Sequence, residues 1–126
     1  KPIIVKAKDD NFNRKILEYG KFDILCGIEE GRKERNLRNI DSGMNEFLAS
    51  LASKSKVSFG IDMNKLRNLE EEERVFIIER IIQNVKICRK KKAVIRLLNF
   101  KDKKNAFSFM QSLGASTQQA KESVEN

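Results

Sequence analysis

Apolar and polar positions along the chain switch between a period of two and a period near 3.6, and these switches divide it into successive elements. Ile3 to Val5 form a short β-branched run between lysines. After Asp9-Asp10, the spacing of Phe12, Ile16 and Tyr19 predicts a helix that Gly20 closes in the C′ position. Phe22 to Cys26 read as a second strand, broken by Gly27. Residues 27 to 41 are charged, contain glycine and lack periodicity, which makes them a loop of a length often used for function. Asp41-Ser42 open a helix with the stripe Met44, Phe47, Leu48 and Leu51. Val57, Phe59 and Ile61 alternate with Ser58 and Gly60, predicting a third strand with small residues on one face.

Asn68 with Glu71 reads as an N-cap and capping-box pair that introduces the longest helix, residues 69 to 91, roughly 34 Å long. Its apolar residues, among them Ile77, Ile78, Ile81, Ile82, Val85 and Cys88, cover more than one face and predict deep burial. Ala93 to Leu98 give a fourth strand with Arg96 inside it. Ala106, Phe107, Met110 and Leu113 form the stripe of another helix ending at Gly114, and the tail from Ser116 is polar and helix-capable, with its last residues expected to fray.

Strand and helix thus alternate without an Asn-Gly or Asp-Gly hairpin turn, and the economical reading is a chain of parallel βα units. The fold class expected is α/β, with a single domain over residues 1–115 and a polar tail over 116–126. Four parallel strands do not close a barrel by themselves, since the common closed form uses eight. The sheet is therefore either small and open or part of a barrel-like fold, and the start at Lys1 rather than methionine favours a processed or partial chain. No run approaches the roughly 18 apolar residues of a membrane span.

Composition removes several kinds of chemistry. The chain has no histidine, which excludes Ser-His-Asp and Cys-His nucleophiles, HExxH sites and His-ligated zinc. Cys26 and Cys88 lie too far apart for a CxxC motif and read as inert core thiols in a reducing compartment. There is no Walker A sequence, no GxGxxG and no aromatic RNP motif.

Charge adds a direction. Against 18 acids stand 26 lysines and arginines, a formal net charge of +8 that favours a polyanionic partner. All of the excess falls between Lys86 and Lys104, where Lys86, Arg89, Lys90, Lys91, Lys92, Arg96, Lys101, Lys103 and Lys104 face a single acid, Asp102. The acids Glu70 to Glu73 and the cations Arg89 to Lys92 at opposite ends of one helix also suit its dipole, which accounts for part of the cluster. In a parallel architecture the two lysine groups flank opposite ends of the last strand and form two patches. Arg32, Lys33, Arg35 and Arg38 in the long loop make another basic group, diluted by Glu29, Glu30 and Glu34. That loop follows the C-terminal end of a strand, where ligand contacts concentrate, and arginine's planar fork suits phosphate. Asp9-Asp10 with Asp62 invite comparison with a phosphoacceptor receiver site, but the strand count is one short and Asp9-Asp10 also suit the start of the following helix.

Residues 38 to 52, Arg-Asn-Ile-Asp-Ser-Gly-Met-Asn-Glu-Phe-Leu-Ala-Ser-Leu-Ala, resemble the signature of ribonuclease P protein component 3, the archaeal counterpart of the eukaryotic subunit shared by ribonuclease P and ribonuclease MRP. The motif places a basic residue before Asp-x-Gly, then an aliphatic residue, Asp or Asn, usually His, and a Leu-Ala-x-Leu-Ala-like helix. Asp41, Gly43, Met44, Asn45, Leu48, Ala49, Leu51 and Ala52 match, Ser42 fills the variable position, and Glu46 stands where histidine is common. Val57 to Ile61 resemble the next strand of that family, and Glu72-Glu73-Arg74 its acid-rich helix start. Residues 99 to 104 are shorter than the usual loop, and the first strands of the family have no counterpart before Lys1.

The resemblance implies a partial or reduced TIM-barrel-like fold, related to PHP phosphoesterases, and a non-catalytic protein. The RNA subunit with its magnesium would cleave the 5′ leader from precursor tRNA, and the protein would bind no cofactor of its own. Implied partners are ribonuclease P RNA, precursor tRNA and a small ferredoxin-like protein subunit, without a membrane, in the cytoplasm or, in a eukaryote, the nucleus and nucleolus. Lysines and arginines would then hold RNA phosphates without reading bases. Two rivals are a barrel-type metal-dependent phosphoesterase, which the absence of histidine disfavours, and a protein-interaction module that binds no RNA. Asp41, Ser42 and Gly43 also have a simpler reading as helix cap and close backbone approach.

Overall fold

The computed structural model describes residues 1–31 and 41–125. Its strands are β1 (Ile4–Lys6), β2 (Ile24–Cys26), β3 (Ser58–Asp62) and β4 (Ile95–Leu98). Its helices are α1 (Asp10–Tyr19), α2 (Glu46–Ser55), α3 (Met63–Arg67), α4 (Glu71–Lys91), α5 (Lys103–Ser112) and α6 (Thr117–Ser123). All strand pairs are parallel, in the order β1-β2-β3-β4, with Ile4 opposite Ile24, Ile24 opposite Ser58 and Gly60 opposite Arg96. This is the expected α/β chain of parallel βα units and the arrangement of a partial barrel. The edge position of β1 also excludes the receiver arrangement, in which the first strand lies inside the sheet.

One face of the sheet carries the core. Leu25, Phe59, Ile61, Ile95 and Leu97 alternate along the strands and are buried with Leu17, Leu48, Ile81, Val85 and Met110 from the helices. Cys88 is buried in the same cluster and Cys26 is half-buried; both are free thiols, and burial pushes them up to about 12 and about 11, so neither is a nucleophile near neutrality.

Several sequence expectations are corrected. Helix α1 buries Asn13 and Leu17, whereas Tyr19 of the expected stripe is exposed. Asn13 is buried because its amide pairs with the backbone of Lys8, accepting from N at 2.8 Å and donating to O at 3.1 Å, which fixes the turn between β1 and α1. Asp9 caps α1 through Phe12 N, and Gly20 ends it at φ +70°, both as expected. Helix α2 begins later than Asp41-Ser42: Asn45 is its N-cap and accepts from Leu48 N at 2.8 Å, while Phe47 faces solvent. Asn68 caps no long helix but ends the short helix α3, and Glu70 precedes α4 without a side-chain cap bond. The segment after Ser116 is helical, as its composition allows, and it is packed rather than frayed as far as Val124. Ser116 and Gln119 form a capping box, and Ala120, Ser123 and Val124 are buried.

Candidate nucleic-acid interface

The parallel sheet separates the basic residues of 86–104 into two groups. Arg89 to Lys92 end α4 and lie before β4, whereas Lys101, Lys103 and Lys104 follow β4 at the start of α5. The first group is largely engaged within the fold. Arg89 donates to the Gly114 carbonyl and, at 3.0 Å, to Gln119 Oε1. Lys90 and Lys91 both reach Glu46, at 3.0 and 3.5 Å, and the Lys90 bond holds the Glu46 carboxyl below its ordinary range. The residue replacing the motif's usual histidine thus ties the start of α2 to the end of α4. Lys92 is the αL C-cap of α4 at φ +60°, and its carbonyl accepts from Ser53 Oγ. Arg96 donates to Ser58 Oγ at 3.3 Å and to the Glu125 carbonyl at 3.2 Å.

The second group is differently placed. Lys101, Lys103 and Lys104 are all exposed. Two of the backbone donors at the start of α5 are already taken by Asp102, whose Oδ1 accepts from Lys104 N at 2.8 Å and Asn105 N at 3.4 Å. These lysines therefore supply a flexible cationic rim at the C-terminal end of the sheet and not a preformed anion pocket.

The basic group Arg32, Lys33, Arg35 and Arg38 lies outside the described residues. The chain on either side of it is tied to α4, an anchoring that hydropathy does not reveal. Arg80, buried, donates Nη1 to the Glu29 carbonyl at 3.0 Å, and Asn84, also buried, reaches the Ser42 carbonyl at 3.5 Å. Gly43 lies so close to Ile28 that an added Cβ would sit 2.2 Å from its carbonyl oxygen, and its φ of +82° also favours glycine. Asp41 Oδ1 accepts from Gly43 N at 3.2 Å. Asp41, Ser42, Gly43 and Asn45 accordingly form the approach to α2 and its cap.

Glu29, Glu30, Asp62 and Lys65 line a cleft of about 480 Å³ beside α3 and α4, floored by Leu66, Leu69 and Ile77. Lys65 pairs with Glu30, which raises the Lys65 pKa. Asp62 caps α3 and accepts from Asn99 Nδ2 at 3.0 Å, the contact that lowers its pKa most. Glu29 is only 3% exposed, and burial pushes its carboxyl up to about 7. Among the described residues no three acidic or thiol side chains gather so as to hold a metal ion, and no helix is long and apolar enough to cross a membrane.

Comparison with known proteins adds one finding. No protein-family model and no curated protein matches the chain. Among solved structures, it is similar to a chain in the cryo-EM structure of archaeal ribonuclease P with mature tRNA, with a TM-score of 0.78 and 25% identity over 94% of this chain. This chain spans about half, 51%, of the length of that one. The likeness to a ribonuclease P protein subunit, read first from residues 38 to 52, therefore extends over nearly the whole fold.

Proposed function

We propose that this protein is a non-catalytic, RNA-contacting subunit of a ribonuclease P ribonucleoprotein, of the protein component 3 kind, which supports RNA-catalysed removal of the 5′ leader from precursor tRNA. The observation that carries the reading is the similarity to a chain of archaeal ribonuclease P over 94% of the sequence. The motif at 41 to 52 and the cationic rim support it. In this reading the partners are ribonuclease P RNA, precursor tRNA and a small ferredoxin-like subunit, in the cytoplasm, or the nucleus of a eukaryote. Magnesium belongs to the RNA, and the protein brings no cofactor.

The protein's contribution is electrostatic and positional. Lys101, Lys103 and Lys104, together with Arg32, Lys33, Arg35 and Arg38, neutralise RNA phosphates and release counterions. Arg89, Lys90, Lys91 and Arg96 have internal partners, so their charge adds to the field while their side chains hold helices together.

Reconstitution tests this reading. Archaeal ribonuclease P RNA, the remaining protein subunits and precursor tRNA are combined with and without this chain at moderate magnesium. The expected result is faster leader removal with the chain present; no stimulation overturns the proposal. Replacing Lys101, Lys103 and Lys104 by glutamine is expected to reduce the slope of log K against log salt by roughly 0.7 to 0.9 per lost phosphate contact.

A further inference from the structure

In a chain of net charge +8, the cleft of about 480 Å³ beside α3 and α4 is lined by four acids and two cations. Two of the acids are already used, since Glu30 pairs with Lys65 while Asp62 caps α3 and accepts from Asn99. Glu29 and Glu73 remain. Glu29 is 3% exposed, and among the described residues its carboxyl has no ion pair and no hydrogen bond beyond its own backbone N–H. Glu73, exposed in the first turn of α4, has no partner among the described residues. Glu73, Ile77 and Arg80 lie at i, i+4 and i+7, so they line the cleft from one face of α4. The bond from Arg80 to the Glu29 carbonyl marks the Glu29 end of the cleft, and Glu73 stands seven residues before Arg80, roughly 10.5 Å along the helix. Leu66, Leu69 and Ile77 make the floor.

We propose that this cleft binds a short linear aliphatic diamine, with one ammonium on Glu29, the other on Glu73 and the carbon chain over Leu66, Leu69 and Ile77. Two carboxylates without partners at the two ends call for two cations, and the apolar floor between them calls for a methylene chain to join them. RNA phosphates are repelled by the same acids, so the cleft and the lysine rim select opposite charges. Two ammonium–carboxylate contacts of about 2.8 Å each take up part of the roughly 10.5 Å, which leaves room for a spacer of about three to five carbons. The volume lies within the roughly 300–1,000 Å³ of small-molecule sites. Glu30, Lys65 and Arg80 are the charged groups that face the Glu29 carboxyl, and with them in place burial still pushes it up to about 7. A bound ammonium supplies the counter-charge that makes its ionised form favourable.

This inference goes beyond the ribonuclease P reading, and its test contains no RNA, so either can fail alone. Isothermal titration calorimetry of the 126-residue chain with 1,4-diaminobutane at low salt is expected to show one saturable site. Glu29→Gln and Glu73→Gln are each expected to weaken binding about tenfold or more, and 1-aminobutane, with one charge, is expected to bind the parent about tenfold more weakly than the diamine. Glu18→Gln, which changes an exposed acid of α1 outside the cleft, is expected to leave the affinity unchanged. Because the diamine takes the ionised form of Glu29, its affinity is expected to rise about tenfold from pH 6 to pH 8, a range over which both ammonium groups stay charged. Should Glu29→Gln not fold, Glu73→Gln still decides, since it alters an exposed side chain. No saturable binding up to about 10 mM diamine overturns the proposal. So does 1-aminobutane binding as tightly as the diamine, an affinity that is flat from pH 6 to pH 8, or a loss in Glu18→Gln equal to that in the cleft variants.

Discussion

Glu29→Gln is the most informative single substitution for stability. Glu29 follows β2, is 3% exposed, and sits beside Arg80, Lys65 and Glu30. Burial, with the neighbouring charge of Glu30, pushes the Glu29 carboxyl from 4.5 to about 7; a backbone hydrogen bond and the charges of Lys65 and Arg80 pull the other way and are outweighed. The folded chain therefore holds a proton on Glu29 at pH values where the unfolded chain has released it. Stability then falls as pH rises, because the folded state binds the extra proton. The loss begins near the unfolded value of 4.5 and levels off above about 7. At 1.36 kcal/mol per pKa unit the full effect is about 3 kcal/mol, an upper figure for a group that relaxes on ionising.

Glutamine keeps the shape of the protonated acid without the titration. Glu29→Gln should therefore match the parent in stability at pH 4 and exceed it by up to about 3 kcal/mol at pH 8. For 126 residues that corresponds to a midpoint about 10 °C higher, since the unfolding entropy is roughly 2.1 cal/mol/K per residue. Thermal or urea unfolding of both chains across pH 4 to 8 measures it. A stability difference that stays constant over that range, or a variant less stable at pH 8, would refute the reasoning.

Gly43→Ala should destabilise by about 2–5 kcal/mol in urea unfolding, from strain at positive φ and a Cβ against the Ile28 carbonyl oxygen, which a flexible neighbour cannot relieve. Asn45→Ala removes the α2 cap and should cost about 1 kcal/mol. Leu17→Ala, at a fully buried position, should cost about 2–5 kcal/mol. The glutamine triple at Lys101, Lys103 and Lys104 should unfold within about 0.5 kcal/mol of the parent, because these side chains are exposed.

Strand identity and parallel order were legible because each strand has a short apolar run and each crossover is long enough for a helix. The errors in the helices arise where a polar group is satisfied at a distance. Asn13 looks like a surface residue until its amide is seen to pair with Lys8, and that pairing turns the buried face of α1 away from Tyr19. Asn68 looks like a cap, but Arg74 reaches back to the carbonyls of Leu66, Arg67 and Leu69 and stabilises a break between α3 and α4. The same holds for the basic cluster. Counting places all of the excess charge between Lys86 and Lys104, but the partners of Arg89, Lys90 and Arg96 lie 25 to 44 residues away and emerge only in the fold.

The motif at 41 to 45 acts through architecture. Gly43 permits contact with Ile28, Asp41 holds Gly43, the Ser42 carbonyl takes Asn84, and Asn45 starts α2. Arg80 holds Glu29 at the other end of the same loop. Both approaches to the basic segment 32–40 are thereby tied to one face of α4, two helical turns or less apart. Contacts within the fold thereby account for Asp41, Ser42 and Gly43 of the motif. The acid at position 46 has a role of the same kind, an ion pair that ties the start of α2 to the end of α4.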